Sequence, residues 1–156
     1  MNGEAVQGSA GQRCVAAMCA LRERYLDKVR ELEQNRKPAE GLLGMKGGPA
    51  DDPCHDRYAE NLAAQLERFR AEEPGSADTR LVLEDLYAPP PKTDVPRSAF
   101  WMLIAVQGLC PDLIAFLDAE DASALAKRFA ADYKRWERMP VQQRILKALQ
   151  QRSHKE

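Results

Sequence analysis

An all-α, single-domain bundle of six or seven helices is the fold that this sequence predicts, and three observations predict it. Apolar residues recur at steps of three and four over most of the chain, no segment alternates with period two, and proline and glycine fall between the periodic stretches. A chain of 156 residues has folded and unfolded surface areas of roughly 7,900 and 25,000 Å², so about two-thirds of the surface can be buried. That is enough for one core. The expected organisation is a loose tail over 1–8, a helical domain over 9–152 and a second tail over 153–156, with no internal repeat.

The first helix is expected from Ser9 to Lys37, on the spacing of Val15, Met18, Cys19, Tyr25, Leu26, Val29 and Leu32, with Pro38 closing it. About 27 residues at 1.5 Å each make roughly 40 Å, the diameter of a globule this size, so the long N-terminal helix should span the domain. Arg22 interrupts its seam, and three heptads are too few for a coiled coil. A glycine-rich loop follows over 41–52. Asp52 is placed to cap a second helix, with Pro53 in the first helical position, and Tyr58, Leu62, Leu66 and Phe69 form its stripe. Ser76 is placed to cap a third helix that buries Val82, Leu83 and Leu86.

Pro89-Pro90-Pro91 and Pro96 lack the P-x-x-P spacing of a polyproline ligand and read as a stiff connector. The stretch 98–107 is apolar on every side and is expected to be the central helix, stopped by Gly108 and Pro111. After a short helical piece at Leu113–Leu117, Asp118 opens a helix with Leu125, Phe129, Tyr133 and Trp136 on one face. Pro140 opens the last helix, which carries Val141, Ile145, Leu146 and Leu149. Trp101, Trp136, Tyr133 and Phe129 read as core residues before they read as a ligand cage, and Cys110, between Leu109 and Pro111, as a buried cysteine.

The four cysteines contain no C-x-x-C, and the run from Cys14 to Leu21 follows a neutral N-terminus and leads into Arg22-Glu23-Arg24. Both facts suit a reducing cytoplasm, with the run read as the start of a helix and not as a signal core, and the expected protein is bacterial-like in style. No apolar run approaches the length of a membrane span, Asn2 stands where myristoylation needs glycine, and the C-terminus is no prenylation box.

Reactive side chains are densest at Asp51, Asp52, Cys54, His55 and Asp56. A cysteine in a first helical turn sits at the positive end of the helix dipole, and a histidine beside it suggests a nucleophile. Against that, consecutive helical residues point about 100° apart, and two acidic residues upstream oppose a thiolate. The simpler reading is a helix start with Cys54 as a small hydrophobe. Zinc needs four recognisably spaced Cys or His ligands, and there are only two histidines, so no metal and no other cofactor is expected. The glycine loop has Lys46 before its glycine pair, which is not the order of a phosphate loop.

The net charge of −1 conceals polarity. Residues 1–39 carry 7 basic and 5 acidic side chains, 40–86 carry 5 and 11, 87–126 carry 2 and 5, and 127–156 carry 9 and 3. The basic C-terminal pair imitates a helix-turn-helix, with Arg138, Gln142, Gln143, Arg144 and Lys147 as a candidate DNA surface. No aromatic platform or basic arm supports it.

The expected function is non-enzymatic binding of another protein, as an adaptor, a regulator or an inhibitor of a basic partner. The long first helix, which would also suit a second copy of the chain, and the acidic 51–73 region are the candidate surfaces, followed by the basic last helix, with steering by charge. The alternatives are a Cys54-dependent enzyme and DNA binding through the C-terminal pair.

Overall fold

The computed structural model describes residues 8–35, 52–91, 93–133 and 139–154. These form α1 (Ala10–Gln34), α2 (Cys54–Ala71), α3 (Ser76–Leu86), α4 (Arg97–Ala105), two 3₁₀ segments (Val106–Gly108 and Pro111–Phe116), α5 (Ala119–Asp132) and α6 (Pro140–Ser153). No strand occurs among the described residues, as expected for an all-α bundle of six or seven helices.

Ser9 sets the start of α1. Its Oγ accepts the Gln12 N–H at 3.2 Å, and Gln12 Oε1 accepts the Ser9 N–H at 2.9 Å, a reciprocal cap. The buried line along α1 is Gly11, Cys14, Met18, Tyr25 and Val29. This is the expected stripe turned by about one residue, since Val15 and Cys19 are only half-buried. The helix has 25 residues, about 38 Å in length, and buried residues lie along most of it.

α1 packs mainly on α2 and α3, α5 packs mainly on α6, and α3 also packs on α5. The true centre is therefore α3, whose Thr79, Val82 and Leu83 are fully buried. Gly11 allows the approach of α1 to the start of α3. A Cβ there would lie 2.7 Å from the Asp78 carbonyl oxygen and 2.8 Å from its Cα.

Two expected caps are resolved differently. Asp52 Oδ1 accepts the Cys54 N–H at 2.8 Å, so Asp52 does cap α2, with Pro53 in helical conformation between them. Ser76 does not cap α3. Its hydroxyl donates to Asp121 Oδ2 at 2.6 Å and accepts the Asp118 N–H at 2.8 Å. Arg80 completes the tie between α3 and α5, with Nη1 on Asp121 Oδ1 at 2.9 Å. Asp118 caps α5 as expected, accepting the Asp121 N–H at 2.8 Å.

The apolar stretch 98–107 is less central than its composition implies. It forms α4 and a 3₁₀ turn, buries Ala99, Leu103 and Ile104 on one face, and leaves Trp101 59% exposed. Trp101 is thus not a core residue, whereas Phe129 and Tyr133 are, with ring centroids 4.6 Å apart. Trp136 lies outside the described residues. The helical stretch ends at Gly108, as expected, while the left-handed φ of 49° falls at Cys110, which is half-buried and not fully buried, just before Pro111 opens the next 3₁₀ segment.

The proline connector is held to α1 at its C-terminal end, where it enters α4. Arg30 Nη2 donates to the Asp94 carbonyl at 2.9 Å, and Glu33 Oε2 accepts the Ser98 N–H and hydroxyl at 3.2 and 2.7 Å. A buried polar chain ties the other side together. Gln142 Nε2 donates to Gln107 Oε1 at 2.8 Å, and Gln107 Nε2 donates to the Tyr133 hydroxyl and the Ala88 carbonyl. No helix among the described residues is long and apolar enough to cross a membrane.

Candidate functional site

The first turn of α2 brings Asp52, Cys54 and His55 against the middle of α1. Tyr58, one turn further on, stacks on Tyr25 with ring centroids 4.4 Å apart and planes 1° from parallel. Tyr25 Oη meets His55 Nδ1 at 2.5 Å, and both residues are buried. His55 is therefore directed towards the tyrosine of α1, with its ring edge-on to Tyr25. Burial also pushes the Tyr25 phenol up from its ordinary value, so the pair holds a neutral hydroxyl through the physiological range.

Cys54 is 6% exposed. Burial first, then the Asp52 carboxylate, push its thiol up to about 11. The hydrogen bond from the Cys54 N–H holds the Asp52 carboxyl below its usual range. The two shifts are linked only in part: burial is the larger cause at Cys54, and the Asp52 carboxylate, held ionised by the Cys54 amide, adds to it by disfavouring a second negative charge beside it. Cys14 and Cys110 are likewise raised to about 11, mainly by burial. A nucleophile needs a lowered thiol, and the surroundings of Cys54 act in the opposite direction. Asp56 is exposed, and Asp51 and the loop over 41–51 lie outside the described residues.

A pocket of about 250 Å³ opens beside this turn, between α1 and α2. Its floor includes Leu21, Tyr25, Cys54 and Tyr58, and its rim is Arg24 and Lys28 from α1 with Arg57 and Asn61 from α2. Each rim pair is spaced i,i+4, so each forms a ridge on its own helix. Lys28 Nζ is 3.4 Å from Glu31. Arg24 and Arg57 have no ion pair among the described residues.

A larger cleft of about 460 Å³ lies on another side of α1, under the proline connector. Met18, Leu62, Leu86, Leu103 and Val106 make its floor, and Leu26 its wall. Arg22, the residue that breaks the seam of α1, is satisfied here by Asp85, with Nη1 and Nη2 each 3.1 Å from a carboxylate oxygen. Glu23, Arg30 and Asp94 stand at the rim. Arg30 pairs with Asp27 at 3.0 Å, whereas Glu23 and Asp94 have no ion pair among the described residues.

The candidate DNA surface loses a central member. Gln142 is 1% exposed and bonded to Gln107, so it cannot reach a base edge. Arg144 and Lys147 are exposed on α6, and Arg138 lies outside the described residues. The i,i+4 spacings at Arg24/Lys28 and Arg57/Asn61 were visible in the sequence. That the two rows face each other, and that His55 meets Tyr25, depends on how α1 and α2 cross.

Among the described residues no group of three His, Cys, Asp or Glu side chains is arranged to hold a metal ion. By fold and geometry this is an α-helical bundle with a cleft on each of two sides of its first helix. No known protein family, curated protein or solved structure matches the chain.

Proposed function

We propose that this chain is a non-enzymatic, cytoplasmic protein that captures a basic, amphipathic segment of a partner protein in the cleft between α1 and the proline connector. The observation that carries this reading is the cleft's charge balance over an apolar floor. Its cations are already paired, Arg22 with Asp85 and Arg30 with Asp27. The carboxylates of Glu23 and Asp94 have no ion pair among the described residues, and prolines 89–91 present carbonyls with no N–H. An apolar anchor flanked by lysine or arginine fits both the floor and the rim. The sequence places Lys92 in the same connector, outside the described residues.

The apolar stripe of α1 is covered by α2 and α3 within the chain. A partner or a second copy would therefore meet the cleft and the charged side of α1. Both alternatives fit less well, because the Cys54 thiol is raised and Gln142 is buried.

Selection from a random peptide library on the immobilised full chain tests the proposal. Enriched peptides should place Lys or Arg next to apolar residues, and Glu23→Gln with Asp94→Asn should weaken them by about tenfold. Enrichment of acidic or uncharged peptides, or binding unchanged in the double variant, would overturn it.

A further inference from the structure

Independently of the proline-covered cleft, we propose that the smaller pocket between α1 and α2 is a binding site for a phosphomonoester. Arg24 and Lys28 on one helix face Arg57 and Asn61 on the other across a single opening. Packed helix axes lie about 8–10 Å apart, so long side chains from both ridges can converge on one group between them. Two guanidiniums offer planar forks that match the oxygens of a phosphate, and Lys28 adds a mobile point charge. Three cations around one opening suit a dianion better than a carboxylate's single charge.

The neighbouring acids do not cancel this. Asp52 keeps its charge while accepting the Cys54 N–H at 2.8 Å and offsets part of Lys28, but neither Arg24 nor Arg57 has an ion pair among the described residues. Glu31 holds Lys28 only at 3.4 Å, with the lysine side chain 48% exposed, a bond that a stronger acceptor can displace. The α2 N-terminus is not the source of affinity, since Asp52 already occupies its first amide. At about 250 Å³ the pocket is below the range of roughly 300–1,000 Å³ for drug-sized ligands. It therefore takes the phosphate and its first attached atoms, not a whole nucleotide.

The same chemistry is carried by a free phosphate ester and by a phosphorylated side chain of a protein, and calorimetric titration separates them. The full chain is titrated with inorganic phosphate, acetate and a phosphoserine peptide. Phosphate should saturate one site and acetate should bind at least about tenfold more weakly. Arg24→Ala and Arg57→Ala, both at exposed positions, should each weaken phosphate by about tenfold with an unchanged circular dichroism spectrum, whereas Arg144→Ala should not. A peptide that binds more tightly than inorganic phosphate assigns the site to a phosphorylated partner; one that binds more weakly assigns it to a small free ester. Absence of saturable phosphate binding, equal binding of acetate, or wild-type affinity in folded Arg24→Ala and Arg57→Ala would overturn the proposal.

Discussion

Tyr25 Oη and His55 Nδ1 meet at 2.5 Å in the interior, joining the middle of α1 to the first turn of α2. The same tyrosine ring stacks on Tyr58, so one residue serves two contacts that a single substitution can separate. Tyr25→Phe keeps the ring and removes the hydroxyl. It should cost about 1–2 kcal/mol, the penalty of withdrawing one partner from a buried polar group. Urea unfolding of both proteins measures it, and a change below about 0.3 kcal/mol would show that the bond contributes nothing net.

Gly11 is a sharper steric case. Its Cβ would meet backbone atoms of Asp78 and not the end of a flexible side chain, so α1 must move away from α3. Gly11→Ala should lose about 1–3 kcal/mol even though alanine favours helix. For a chain of this size that lowers the melting temperature by about 2–4 °C per kcal/mol. A stabilised variant would mean that the contact relaxes freely.

Cys54 should behave as an inert thiol. With its pKa pushed up to about 11, the thiolate fraction at neutral pH lies far below that of a free cysteine near 8.5. Alkylation of the folded protein by iodoacetamide, read by peptide mass mapping, should be slower at Cys54 than in the urea-unfolded chain. Reaction faster than that of the unfolded thiol would restore the nucleophile reading.

Acid should loosen two helix starts together. Asp52 is lowered chiefly by the Cys54 amide, and Asp121 chiefly by the Ser76 hydroxyl with Arg80 added. A depressed folded value means that the stabilisation is complete above the unfolded value of about 3.9 and is lost as pH falls through the folded value. Carboxyl NMR titration should place both midpoints below about 3.9, and stability measured by urea should fall below about pH 4. Midpoints at or above the free value would contradict the two hydrogen bonds.

Where a helix is made by local rules, its sequence sufficed. The stripes of α2 and α3, the Asp52 and Asp118 caps and the breaks at proline all arise from contacts a few residues apart. Ser76 shows the limit. A serine before a helical stripe has the form of a cap, but its hydroxyl is claimed by Asp118 and Asp121, 42 and 45 residues away. Gln142 shows it again: a glutamine in a basic helix looked surface-bound and is buried on Gln107, 35 residues off. Hydrophobicity also misled at 98–107, because an apolar side chain is buried only as far as its neighbours cover it, and Trp101 stays 59% exposed.

The sequence by itself determined an all-α bundle, a long first helix and an uneven distribution of charge, because periodicity, caps and breakers act within one or two turns. Which charges remain available was decided only by the tertiary structure. Arg22 and Arg30 are paired, with Asp85 and Asp27, while Arg24, Arg57, Glu23 and Asp94 line two openings without an ion pair among the described residues. Pairing depends on distances across helices, and these are set by how the stripes of α1, α2 and α3 pack.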